Sequence, residues 1–140
     1  MFRYIYIYAI LQSYMFALVN QETGWSYSQS TMQCFYMFEK ITIDDEIAQP
    51  GQTASTGPGD IVGAFFNGKC VGWTYALGSY TTLPLMGDDG SSSQDGYLSF
   101  NGVPDSIIIY DTSHQNYHIL DISLTSSEDY DGNALSASYP

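Results

Sequence analysis

The stretch Gly59-Asp60-Ile61-Val62-Gly63-Ala64-Phe65-Phe66-Asn67-Gly68-Lys69-Cys70-Val71-Gly72-Trp73 restricts the accessible folds more than any other part of the chain. Asn67-Gly68 accepts the positive φ angles that a two-residue type I′ turn demands. Apolar runs flank it on both sides, so the segment reads as two buried strands closed into a hairpin. Gly63 and Gly72 delete side chains inside both arms, which marks a bulge or the close approach of another backbone or ring. Asp60 stands at the hairpin entrance, where a short carboxylate side chain accepts hydrogen bonds from backbone amides.

The remaining chain reads as further strands separated by breakers. Residues 32–43 form a long strand that ends at Asp44-Asp45-Glu46, and residues 49–59 are a loop rich in Gly, Pro and hydroxyls. A second loop spans residues 87–96, after which Tyr97-Leu98-Ser99-Phe100 resumes a strand. Ile107-Ile108-Ile109-Tyr110 is continuously apolar and therefore central, while residues 116–124 alternate and suit an exposed face. Residues 125–140 are acidic and Ser-rich, and read as a final edge strand, a connector or a frayed end. With 13 Tyr and 7 Phe against few residues that favour helices, the composition suits pleated surfaces. At 140 residues the expectation is one all-β domain, a two-sheet antiparallel β-sandwich of about seven or more strands, immunoglobulin-like or jelly-roll-like. Residues 1–20 divide off as an apolar N-terminal segment, and residues 21–140 form the sandwich.

The hairpin motif, Asp60-x-Val62-Gly63-Ala64-Phe65 followed by a short turn and Gly68-x-Cys70-Val71-Gly72, resembles the signature of β-sandwich domains in secreted and surface-anchored multidomain bacterial proteins. Three further pieces agree in order: residues 29–38 with Ile43-Asp44, residues 82–90 with Gly96-Tyr97, and residues 107–111. Together they cover about residues 25–120. The resemblance implies an accessory or structural domain, with no set of catalytic residues to carry over. The N-terminal segment adds a resemblance to protomers of extracellular glycosylated fibrils.

Three Lys and Arg oppose 15 Asp and Glu, a formal net charge of −12. Nucleic acid is excluded as a partner, because neutralising phosphates needs a basic footprint, and an anionic membrane surface is disfavoured for the same reason. Acidity suits solubility, mutual repulsion and cation binding in oxygen-lined loops. Asp88, Asp89, Ser91 and Asp95 are the candidate Ca2+ ligands, against the plain alternative of an ion-free turn; no other cofactor is indicated. Cys34 and Cys70 both fall in inner strands and read equally as a disulfide between sheets or as two buried thiols. They lack the ligand-pair spacing of a zinc site with His114 and His118.

No nucleophile elbow, phosphate-binding loop, zinc-protease motif or dinucleotide fingerprint occurs, and paired acids sit in turns rather than across a cleft, so the expectation is a non-enzyme. Trp25, Trp73, Tyr75, Tyr80 and Tyr97 are candidates for a flat platform that receives sugar rings, set against a core role for each of them. Exposed rings on one sheet favour sugar binding. Asn-x-Ser/Thr is absent, whereas Thr53, Ser55, Thr56, Ser91, Ser92 and Ser93 are hydroxyl positions open to O-linked glycans or serving as plain polar loop.

The first twenty residues divide the functional readings. Arg3 with an apolar centre closing near Ala17 suits a secretory signal. Tyr4, Ile5, Tyr6, Ile7 and Tyr8, continued by Ile10 and Leu11, instead alternate at strand periodicity, with isoleucine on one face and tyrosine on the other. A membrane-spanning helix is the least favoured reading, because the stretch is barely long enough and contains polar interruptions. A retained apolar strand invites addition to a neighbour's sheet, and a head-to-tail contact of that kind propagates into a filament. The expectation is therefore a secreted structural subunit whose partners are copies of itself. The alternative is a secreted carbohydrate-binding or adhesion module with a cleaved signal peptide, whose partners are glycans.

Overall fold

A computed structural model describes residues 17–51, 58–125 and 134–139, with side-chain detail up to residue 123. The described strands are β1 (Leu18–Val19), β2 (Ser26–Tyr27), β3 (Gln33–Ile43), β4 (Glu46–Ile47), β5 (Ile61–Phe66), β6 (Lys69–Tyr75), β7 (Ser79–Met86), β8 (Ser106–Asp111), β9 (Asn116–Ile119), β10 (Asp121–Thr125) and β11 (Ala134–Tyr139). One short 3-10 turn, Ser92–Gln94, interrupts the loop before β8. The fold is all-β and sandwich-like. One main sheet runs β10-β11-β3-β4 with β7 also paired to β3, the other runs β6-β5-β8-β9, and β1-β2 is a separate small hairpin.

Local chemistry accounts for the hairpins. Asn67 and Gly68 have φ of 49° and 74°, the left-handed conformation that joins β5 to β6 in the type I′ manner. Asp44 and Asp45 make the equivalent turn between β3 and β4, with φ of 49° and 66°. The register of β5 against β6 shifts at Ala64/Phe65, where Ala64 faces Gly72 and Phe65 faces Cys70, leaving Val71 as the extra residue of a bulge.

Both glycines inside the arms are steric necessities. A Cβ on Gly72 would lie 1.7 Å from the Pro84 carbonyl oxygen of β7, and one on Gly63 would lie 2.8 Å from two ring carbons of Trp25. Bulge, close backbone and close ring all occur within this single hairpin.

Inner-facing side chains of both sheets form one core, with Phe38, Ile41, Leu83 and Leu85 from one sheet meeting Val62, Ala64, Val71, Ile107 and Ile109 from the other. Each large member contributes about 1.5–3 kcal/mol by leaving water. Ile61 is equally buried but faces the other side of its sheet, beneath an outer aromatic layer.

Four expectations are corrected. Residues 97–100 do not resume a strand; Leu98 makes only an isolated parallel bridge to Gly87. Residues 116–124 are not one strand, because the chain breaks at the buried Leu120 and β9 and β10 join different sheets. Residues 134–139 form an interior strand rather than an edge, inserted between β10 and β3, and they run parallel to β3 in an otherwise antiparallel arrangement. Leu18–Val19 and the buried Asn20 belong to the folded body, although the sequence division assigned them to the N-terminal segment.

Candidate functional site

The outer face of the β6-β5-β8-β9 sheet carries an aromatic layer. Strand alternation sends Phe65, Tyr110 and Tyr117 outward, and Tyr110 and Tyr117 are opposite one another across β8 and β9. The β1-β2 hairpin lays Trp25 across Gly63, where it meets Phe65 edge-on at 5.2 Å and Tyr117 at 5.8 Å; Tyr110 and Tyr117 lie 4.9 Å apart. Trp73 and Tyr75 continue the layer along β6 in an edge-to-face pair at 5.8 Å. The Trp73 indole N–H donates to the Leu18 carbonyl at 2.8 Å, which fixes the start of the described chain against this face.

Of the five aromatics singled out from sequence, Trp25, Trp73 and Tyr75 share this face and are partly buried in it. Trp73 and Tyr75 are perpendicular to one another rather than coplanar, and Trp25 is edge-on to Phe65 and tilted against Tyr117. Tyr97 is only 8% exposed, and its hydroxyl accepts the Ser28 amide proton at 2.9 Å. Tyr80, 63% exposed at a φ of 59°, stands at the start of β7 in the other sheet. These five therefore do not form a single flat platform. Phe65, Tyr110 and Tyr117, which do join Trp25, escaped the sequence reading, although their alternation around Gly63 was the signal that could have found them.

The engaged carboxylates serve as locks between loops. Buried Asp60 accepts the Gln49 amide on Oδ2 at 2.7 Å and the Thr112 amide on Oδ1 at 2.9 Å, closing the β4-β5 loop on itself and tying it to the β8-β9 turn rather than capping its own hairpin. Burial pushes its pKa up, against the opposing pull of those two amides. Asp111 accepts from the Ser113 and His114 amides, and its Oδ2 lies 2.8 Å from His114 Nδ1. Burial works to raise the Asp111 pKa, but the hydrogen bonds from His114 and Ser113 outweigh it and the net shift is downward. Bonding to Asp111 raises the pKa of His114.

In the 87–96 loop, Asp88 Oδ1 accepts the Gly90 amide. Asp89 accepts from the Thr31 amide and hydroxyl on Oδ2, and from the Ser91 amide and hydroxyl on Oδ1. These donors, the Thr31 amide first, depress its pKa. Asp95 offers its main-chain carbonyl to Lys69 Nζ. The oxygens proposed for Ca2+ thus point largely at N–H and O–H donors, and among the described residues no group of three or more His, Cys, Asp or Glu is placed to hold a metal. Ser91, Ser92 and Ser93 are exposed, and the Ser93 hydroxyl donates to Gln94 Oε1 at 2.7 Å. Thr53, Ser55, Thr56 and residues 4–11 lie outside the described residues.

Cys34 and Cys70 are free thiols, so of the two readings the disulfide between sheets is not formed, and of the two thiols only Cys70 is buried. Cys34 lies exposed near the start of β3, and buried Cys70 points its sulfur at the Gly72 carbonyl, 3.4 Å away. Burial raises the Cys70 thiol to about 11. Cys34 also lines an apolar cavity of 260 Å³ together with Met32, Leu85, Leu98 and Phe100.

No helix among the described residues is long and apolar enough to cross a membrane. Compared with protein-family models, with curated proteins and with solved structures, the chain matches none.

Proposed function

We propose that this chain is a non-catalytic structural subunit of an extracellular fibre or surface assembly, joined head to tail with copies of itself through donation of residues 4–11. The observation that carries this reading is the placement of uncovered apolar side chains on strands of a sandwich whose core is otherwise closed. Phe35 and Met37 on β3, Tyr117 and Ile119 on β9, and Leu18 and Val19 on β1 are all exposed. Apolar surface left exposed along one strand face, as with Phe35 and Met37 on β3, marks a site of association. The carboxylates that a hydrolase would place across a cleft are instead spent on loop amides. The segment 4–11 itself carries no charge, so its transfer into a neighbour's sheet desolvates no ion.

The decisive experiment deletes residues 1–12 and follows assembly by electron microscopy and size-exclusion chromatography. The truncated chain is expected to remain a folded, soluble monomer while the full chain forms filaments. Filaments unchanged by the deletion would refute strand donation. A second reading, a glycan-binding module, is favoured by Trp25 lying on Gly63 beside Phe65 and Tyr117. Saturable binding of a neutral oligosaccharide that is lost in Trp25→Ala, in a protein that forms no filaments, would favour that reading instead.

A further inference from the structure

Strand β3 is paired along its whole length on one flank but only partly on the other. β7 and β4 cover one side, from Gln33 to Ile43, whereas β11 pairs on the opposite side only from Phe38 onward. Among the described residues, Gln33–Met37 has no strand on that second flank.

The backbone groups of this stretch face the gap. The Cβ direction of Gly72 meets the Pro84 carbonyl oxygen, so that carbonyl points toward β6 and away from β3; Pro84 has no N–H to donate in either direction. In an antiparallel pair, residues directly opposite one another either exchange both hydrogen bonds or neither. Phe35 is opposite Pro84, so its own N–H and C=O point away from β7, and with a repeat of two so do those of Gln33 and Met37.

Side-chain exposure gives the same picture. Cys34, Tyr36 and Phe38 are opposite Leu85, Leu83 and Thr81, which places them on the inner face. Phe38 is fully buried, Tyr36 is partly covered and Cys34 is exposed, so the core opens progressively toward the start of β3. The apolar cavity lined by Cys34, Leu85 and Leu98 continues that opening.

Resting on the strand-donation reading above, we infer that the free flank of β3 over Gln33–Met37 is the acceptor edge, and that its occupant is the 4–11 segment of a second copy. Five residues of open edge span about 17 Å, which a strand of eight residues covers with overhang at both ends. The alternation matches as well. One donor face, carrying Ile5 and Ile7, covers the Cys34 and Tyr36 side, and the tyrosine face lies beside exposed Phe35 and Met37. Both segments are uncharged in a chain of net charge −12, so this contact escapes the repulsion that keeps the acidic surfaces of two copies apart.

Cys34 makes the inference testable in the full chain. Single cysteines placed at each position from 4 to 11 are incubated with copper phenanthroline under assembly conditions and resolved on non-reducing gels. The expected result is a ladder of covalent dimers, trimers and higher species at alternate donor positions, abolished by Cys34→Ala and by reductant. Filaments that assemble without a cross-link at any position overturn the acceptor edge while leaving strand donation standing. Cross-linked monomer overturns the second copy as occupant. Filaments that survive loss of residues 1–12 overturn the donation reading itself.

Discussion

Replacing Asp60 by Ala removes the side chain that ties the β4-β5 loop to the β8-β9 turn, and the structure sets the size of the loss. Two backbone amides, of Gln49 and Thr112, donate to this carboxylate at 2.7 and 2.9 Å. A hydrogen bond to a charged group is worth about 1.5–3 kcal/mol, so the gross loss is about 3–6 kcal/mol. Part returns, because the carboxylate is buried and its ionised form is penalised there. A net cost of about 2–4 kcal/mol is expected, a large fraction of the stability of an ordinary domain. In a chain of this length it lowers the melting temperature by roughly 10 °C. Urea denaturation followed by tryptophan fluorescence, with a thermal melt alongside, measures both quantities. Asp60→Asn keeps the shape but turns an amide donor toward one of the two N–H groups, so it is also destabilised. The pH dependence supplies an independent check. A carboxyl whose folded pKa is raised contributes stability that is fully present below its unfolded pKa of about 3.9 and is lost as pH rises through the folded value. The wild-type chain carries this contribution and both variants lack it. A loss below about 1 kcal/mol in Asp60→Ala would refute the assignment of Asp60 as a lock.

Gly72→Ala forces a Cβ to within 1.7 Å of the Pro84 carbonyl oxygen, a clash with backbone that no rotamer relieves, and is expected to cost at least about 3 kcal/mol in the same melts. Gly68→Ala meets open space and pays only for its φ of 74°, about 1 kcal/mol; equal losses at the two positions would contradict the close packing of β6 on β7. His114 has a raised pKa from its bond to Asp111, so its contribution is fully present below about pH 6.5 and fades as pH rises through the folded value. Asp111, shifted downward, acts at the other limit, with a contribution lost as pH falls through its folded pKa. His114→Gln should therefore flatten the limb of the stability profile that falls as pH rises above about 6.5, and an unchanged limb would count against the pair. In native protein one thiol, Cys34, is expected to react with a disulfide reagent at pH 8, and two after unfolding, because the Cys70 thiol is buried and shifted to about 11. Two fast thiols in the native chain would show that Cys70 is not enclosed.

Several features of the fold follow from neighbours along the chain. Asn67-Gly68 has both left-handed residues that its hairpin needs, and the apolar, aromatic run 32–43 closed by Asp44-Asp45-Glu46 was recognisable as the long strand β3. Gly63 and Gly72 marked either a bulge or the close approach of a ring or a backbone. The identity of the approaching group, Trp25 in one case and the Pro84 carbonyl in the other, depended on contacts with residues 38 and 12 positions away. A polar residue, Asp60, was recognisable as an amide acceptor, yet its amides belong to the far end of its own loop, 11 residues back, and to a turn 52 residues on.

Period-two alternation tells a strand which side chains share a face, so the outline of an all-β sandwich was written in the residues themselves. Alternation carries no information about which strand will lie alongside, since every edge offers the same N–H and C=O pattern. Only tertiary packing therefore decided that the chain changes sheets at Leu120, that β11 enters parallel to β3, and that Trp25, Phe65, Tyr110 and Tyr117 gather on one face. The same packing left the first five residues of β3 without a strand on one flank among the described residues. That gap is a property of the assembled sheet rather than of any local pattern, and it directs attention to a second copy.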